Sequence, residues 1–220
     1  MPSDVHVLAF DTSAAHCAAA LLCGGRILAE RAEDMGRGQA ERLMPMLQAL
    51  LDDAGVGWGD LGVIAVGTGP GNFTGIRIAV SAARGLALGL GVPAIGVSTL
   101  EAAAHARNLP VVSAVPAPRG QFYVQTFGPN GVQDVRLMSA DGLETASSAM
   151  PICSYDLAAL EATDLEMRHR APADPLAVAI ARIAALRSLT PDQPRPAPLY
   201  VKPADAAPPR EAPPVMLDDA

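Results

Sequence analysis

The stretch Gly67-Thr-Gly-Pro-Gly-Asn-Phe-Thr-Gly-Ile-Arg77 joins a short apolar run, Gly62 to Gly67, to a segment of helical spacing from about Thr74 to Gly89. A glycine-rich link between a strand and a helix has several familiar meanings, and the residues exclude three. A Walker loop ends in Gly-Lys-Ser/Thr, and no lysine is present here. A dinucleotide loop needs GxGxxG, but counted from Gly67 the last position is Asn72, and counted from Gly69 it is Thr74. A nucleophile elbow needs a central serine, which is missing. Two readings stay open. Free amides at a helix start favour an anion, which would place one over Gly69 and Gly71. Alternatively, the loop is a tight connection with Asn72 or Thr74 as the helix cap.

The helix that follows is unusual in its arc. Between Gly75 and Leu90 the strongly polar side chains are Arg77, Ser81 and Arg84, four and three residues apart, so they form one narrow stripe. A helix lying on one sheet needs an apolar arc of only ~100° or a little more. The wider arc predicts two covered surfaces, one against a sheet and one against the other half of the chain or another subunit. Gly75, Ala79, Ala82 and Ala83 are small enough to let a second helix approach closely. Upstream, Leu43, Met46, Leu47, Leu50, Leu51 and Ala54 recur at helical spacing over Gln39 to Ala54. Pro45 is placed near that helix's start, where a missing donor costs little, and Gly55 stops it. The methionines suit an adaptable contact surface.

Working outward, residues 5–10 read as a strand ending at Asp11-Thr12-Ser13. His16 to Leu22 reads as a second, and Arg26 to Ala32, beyond the Gly24-Gly25 turn, as a third. Pro93 to Val97 makes another strand, and Ser98-Thr-Leu-Glu101 matches a capping box. The order βββαβαβα is of the α/β class. It then starts again in shortened form. Strands are expected at Pro110 to Pro116, Gln121 to Phe127 and Val132 to Leu137, with a turn at Pro129-Asn130-Gly131. A helix over Ser139 to Met150, strands at Pro151 to Ser154 and Leu165 to His169, and a helix over Leu176 to Leu189 follow. A tandem α/β unit of this kind is the signature of the actin-like fold, with subdomains at 1–107 and 108–190. Nine of the 24 residues from Pro191 to Pro214 are proline, so 191–220 is expected to be an extended tail, loose or laid along the surface.

Composition narrows the chemistry. Half of the 220 residues are hydrophobic and 18% are charged, with a mean hydropathy of +0.24. No uninterrupted apolar run of ~18 residues occurs, so no membrane span is expected. The opening MPSDVHVLAF lacks a basic region of the signal-peptide type, which makes the cytoplasm the expected compartment. Cys17, Cys23 and Cys153 are odd in number and lack CxxC spacing, as buried reduced thiols would. A net charge of −7 argues against direct RNA binding, and the densest basic cluster is only Arg168-His169-Arg170. Any RNA contact is expected to go through a partner. His6, His16, His105 and His169 supply no pair four apart for a metal, and no cofactor is expected. Asp11 is the best single catalytic candidate, since sugar kinases of this fold place an acid at the first strand end to orient Mg²⁺ through water. It reads equally as an Asx turn with Thr12 and Ser13.

LAFDTSAAHCAAALL, ERLMPMLQALL and IAVGTGPGNFTGIRIAVSAARGLALGLGVPAIGVSTLEA resemble the TsaB family, closely over residues 5 to about 105 and more weakly to Tyr200. Gly69 to Arg77 carries the motif most specific to it, and Pro198-Leu-Tyr-Val-Lys202 is similar to its C-terminal Pro-x-Tyr-Leu-Arg. The resemblance implies the actin-like sugar-kinase/Hsp70 fold, also called ribonuclease-H-like. It implies a non-catalytic paralogue of the transferase TsaD that supports N6-threonylcarbamoyladenosine formation at position 37 of tRNA, with the ATPase TsaE completing the complex. It implies pairing with TsaD, or with a second copy when alone, through the two long helices. That puts Leu43, Met46, Leu47, Leu50, Thr74, Ile76, Arg77, Val80, Ala83, Arg84 and Ala87 at the partner interface. Two departures stand out: Pro116-Ala117-Pro118 where many members have Asp-Ala-Arg, and Gln39 where a histidine is common. Both weaken any claim of nucleotide or metal binding at Asp11, Thr12, Ser13, Gly69 and Gly71. The rival readings are a small ATP-dependent phosphotransferase of the same fold and a peptidase.

Overall fold

A computed structural model describes residues 5–147, 150–161, 169–187 and 194–201. Strands β1 (His6–Asp11), β2 (His16–Cys23) and β3 (Arg26–Asp34) form an antiparallel meander. Gly24 and Gly25, at φ 56° and 79°, supply the two left-handed positions that the tight β2–β3 turn demands. Helix α1 (Gln39–Ala54) leads to β4 (Leu61–Gly67), which pairs parallel to β1. Helix α2 (Phe73–Leu90) leads to β5 (Ala94–Val97), parallel to β4. The sheet order is β3-β2-β1-β4-β5, with α3 (Thr99–Ala104) after it.

The unit then repeats. A second sheet has the order β11-β10-β6-β7-β8, with β9 also on β7. Its strands are β6 (Val111–Ala117), β7 (Gln121–Gly128), β8 (Gly131–Val132), β9 (Arg136–Ser139), β10 (Ile152–Cys153) and β11 (His169–Arg170). Helices α4 (Ala140–Ala146), α5 (Leu157–Glu161) and α6 (Leu176–Leu186) accompany them. Antiparallel pairing of β6 with β7 and parallel pairing of β10 with β6 echo the first sheet. This is the duplicated actin-like fold.

The structure departs from several expectations. The single strand expected over Val132 to Leu137 is two, because Val132 faces Phe127 while Arg136 faces Val124. One extra residue on that edge shifts the register and breaks the run. Pro45 is not near the start of α1: it is the seventh helical residue, so the Glu41 carbonyl loses its i+4 donor on the exposed side of the helix. Ser98 caps α3 as expected, accepting from Glu101 N at 3.0 Å. The Glu101 carboxylate, however, turns away to grip Arg187 through two 2.7 Å contacts instead of completing the box. Residues 165–168 of the expected strand, 148–149 and 188–189 of two expected helices, and tail residues 191–193 and 202–220 lie outside the described residues.

The largest correction concerns the core. Leu43, Met46, Leu47 and Leu50 of α1, with Ile76, Val80, Ala83 and Ala87 of α2, are expected from the resemblance at a partner interface. All eight are buried within this chain, none more than 8% exposed. They pack on Leu8, Phe10, Leu21, Ile64 and Val66, the side chains that alternate onto one face of the first sheet. Fully burying a leucine of this kind contributes about 1.5–3 kcal/mol. On the opposite face Val7, Ala9, Leu22, Val63 and Ala65 are covered by α6, whose Ala179, Ile180 and Ala184 are fully buried. The last helix of the second repeat thus packs on the sheet of the first. Helix α2 is also, by length and composition, apolar enough to cross a membrane, with a mean hydropathy of 1.3 over 18 residues, yet one face of it lies on this sheet.

Residues 194–201 run along the surface. Pro196 is buried against Gly96, and Leu199 N donates to Thr68 O at 2.9 Å.

Candidate functional site

The loop after β1 and the 67–72 connection are built into each other. Asp11 is fully buried, and its Oδ1 accepts from Ser13 N and Ser13 Oγ, both at 2.8 Å. The backbone contact two residues on is the Asx turn. The same oxygen lies 2.8 Å from His16 Nε2. Burial alone would lower the His16 imidazole pKa, but the Asp11 hydrogen bond and the charges of Asp11 and Asp34 together hold it above its ordinary value. The other oxygen, Oδ2, has no partner among the described residues and rests against Gly67, where a Cβ would fall 1.7 Å from it.

Thr12 Oγ1 donates to Gly75 O at 2.6 Å, and Asn72 N donates to Ser13 O at 2.6 Å. Asn72 Oδ1 accepts from Gly75 N at 3.0 Å, so Asn72 and not Thr74 caps α2. A Cβ at Gly71 would stand 2.2 Å from Ser13 O. Glycine is needed there because two backbones touch. Gly69 has φ 82°, and its carbonyl accepts from Thr99 N at 2.8 Å. Two of the amides that an anion would need, those of Asn72 and Gly75, are already engaged within the protein. The geometry is that of a tight strand-to-helix weld.

Between the two sheets lies a cleft of about 820 Å³, lined by Ser13, His16, Asn72, Tyr123 and Tyr155 and walled by Pro116-Ala117-Pro118. The Tyr155 hydroxyl lies within hydrogen-bond reach of the carbonyls of Ala102 (3.3 Å) and Asp174 (3.2 Å), and burial raises its pKa. Asp11 is not part of the lining. Among the described residues no three His, Cys, Asp or Glu side chains converge to hold a metal.

The outer face of α2 is different in kind. Arg77, Ser81, Arg84 and Leu88 follow one another along it and are all exposed, Leu88 by 81%. Thr74 is exposed at its start, while Ile78, Ala82 and Leu86 are half-buried beside it. From Phe73 to Leu90 there is no acidic residue. Of the expected interface set only Thr74, Arg77 and Arg84 therefore reach solvent on this face. Sequence reasoning missed Met44, Phe73, Leu88 and Tyr200, each more than 40% exposed. Phe73 carried a signal, a large apolar side chain directly after the cap. The Arg77 guanidinium centre lies 3.8 Å from the Phe73 ring centroid and 5.9 Å from that of Tyr200. Arg77 Nε donates to Tyr200 Oη at 2.9 Å, and the two ring centroids are 5.5 Å apart.

Comparison with known proteins gives this arrangement its relatives. The family model of TsaD, tRNA N6-adenosine threonylcarbamoyltransferase, matches residues 29–141, just over half of the chain. The tRNA threonylcarbamoyladenosine biosynthesis protein TsaB of Escherichia coli is 39% identical over 124 residues, 54% of this chain and 53% of that protein. TsaB of Bacillus subtilis is 37% identical over 147 residues, 63% of this chain and 64% of that protein. The chain thus spans little more than half of the first of these curated relatives and under two thirds of the second. A crystal structure from Pseudomonas aeruginosa, of an uncharacterized protein with similarity to peptidase YeaZ, is 27% identical with a TM-score of 0.71. The match covers 90% of this chain and 100% of that one. The chain belongs to the family of the TsaD transferase, and within it to TsaB.

Proposed function

We propose that this chain is a non-catalytic, cytoplasmic scaffold subunit for threonylcarbamoyl transfer to adenosine 37 of tRNA. It pairs with the catalytic subunit TsaD, works alongside the ATPase TsaE, meets tRNA through the complex and self-associates when alone. The observation that carries this reading is the outer face of α2. A helix with a mean hydropathy of 1.3 has only a third of its residues buried in its own chain, and it leaves Leu88 in water. Apolar surface of this kind on a rigid, capped helix is what a partner covers.

The rival chemistries find less support. The free oxygen of Asp11 faces Gly67 and not the cleft, so the acid at the end of the first strand is turned away from where a phosphotransferase would hold its metal. Ser13 Oγ and His16 Nε2 both turn to Asp11 Oδ1 and not to each other, so these two do not form the nucleophile–base pair that a peptidase needs.

The test mixes this chain with TsaD from the same organism and measures the mass of the complex and the threonylcarbamoyladenosine content of tRNA. Ser81→Glu/Leu88→Glu alters only exposed positions, so the chain stays folded while complex and modification are lost. An unaffected complex, or turnover of substrate by this chain alone, overturns the proposal.

A further inference from the structure

The outer face of α2 has a centre, and two distant segments build it. Arg77 is exposed but not free to wander: its guanidinium stacks on Phe73, and Tyr200 holds its Nε. Tyr200 is brought there by residues 194–201, which Pro196 and the Leu199–Thr68 hydrogen bond fix to the edge of the first sheet. The two terminal amines of Arg77 make no hydrogen bond among the described residues. We propose that Arg77, clamped by Phe73 and Tyr200, is the anchor of this face and takes a carboxylate from the partner protein. The inference rests on reading the face as a partner surface.

Three observations choose that chemistry. A guanidinium offers paired donors in a plane, the match for a carboxylate or a phosphate, and aromatic stacking removes part of the entropy lost on binding. The surroundings favour a protein over a nucleic acid: Phe73 is 47% exposed beside it, Leu88 is 81% exposed about three turns further along the same face, and a chain of net charge −7 repels a polyanion. A second copy docking α2 against α2 sets Arg77 and Arg84 against the same arginines, with no acid on that helix to answer them. The carboxylate, set among apolar side chains, is therefore supplied by a different protein, and self-association through α2 goes without it.

The experiment measures the affinity of the full chain for TsaD at low and high salt. Arg77→Met keeps the stem and the packing, so it folds normally but binds about 30-fold more weakly, as loss of a central arginine does. Its affinity also changes less with salt than that of the wild type, because one charge pair is gone. Arg77→Lys recovers only part of the loss, and it carries the test if the methionine variant proves less stable. Tyr200→Phe, which keeps the ring and loses the hydroxyl, costs a few-fold. If Arg77→Met binds like wild type while Ser81→Glu/Leu88→Glu does not, the face stands and the anchor falls. If both variants bind like wild type, both readings fall. Weaker binding with an unchanged salt dependence rejects the carboxylate, and a loss confined to self-association or to bare tRNA rejects the partner.

Discussion

The α-carbon of Gly75 presses on the carbonyl oxygen of Thr12 so closely that a Cβ built on it would stand 1.8 Å away. Backbone meets backbone, and neither side has a flexible end that could yield. Ten residues further along the same helix, Gly85 has nothing within 4 Å of its Cβ position. The same substitution should therefore have opposite signs at the two sites. Gly75→Ala destabilises by about 2 kcal/mol or more, as overpacking does, while Gly85→Ala stabilises by up to about 1 kcal/mol through helix propensity. Urea unfolding of both variants gives the comparison, and midpoints moving in the same direction refute the argument.

His16 and Asp11 should give the protein a pH-dependent limb. The folded imidazole holds its proton more tightly than an unfolded one near 6.5. Its stabilising contribution is therefore complete below that value and is lost as pH rises through the folded pKa. Melting temperature should fall over that window in the wild type by more than in His16→Gln. Parallel curves would show that the pair contributes nothing.

The thiols should differ sharply in reactivity. Cys17 is buried, and burial followed by the charge of Glu33 pushes its pKa up to about 11; burial also raises that of Cys153. Cys23 is half-buried at the end of β2. In the native protein an aromatic disulfide reagent should titrate Cys23 first, with the other two appearing only on unfolding. Fast reaction of all three thiols without denaturant contradicts this.

Charge on α2 should separate the buried face from the exposed one. Ala83 is fully buried, so Ala83→Glu places a carboxylate in an apolar core and costs several kcal/mol, of the order of ~3–5. Leu88→Glu stays within about 0.5 kcal/mol. Thermal melts of the two proteins without any partner make the distinction.

Most of the fold was legible because its signals are local. The βββαβαβα order, the Gly24-Gly25 turn, the Ser98 cap and the Arg77/Ser81/Arg84 stripe each follow from neighbours a few residues apart. Periodicity on α1 picked out Leu43, Met46, Leu47 and Leu50 correctly as one apolar face. It could not say what covers that face, because a sheet of the same chain and a second subunit leave the same pattern. The His16–Asp11 pair is close in sequence, but it forms only because the turn between β1 and β2 folds back on itself. Glu101 with Arg187 and Arg77 with Tyr200 are separated by 86 and 123 residues, and nothing local to any of the four announces its partner. Spacing places the bounds of α1 correctly, and only the weight given to Pro45 is wrong: seven residues in, it lies past the first turn, where a missing donor leaves a helical carbonyl unpaired.

Helix α6 sets an order on the birth of this molecule. The first sheet leaves the ribosome early, but its second face, with Val7, Ala9, Leu22, Val63 and Ala65, stays bare until Leu176–Leu186 has been made. A nascent chain stalled after α3 exposes a greasy sheet to chaperones, and a fragment ending near residue 107 should be insoluble. The first repeat therefore cannot be inherited, cut or swapped without the final helix of the second.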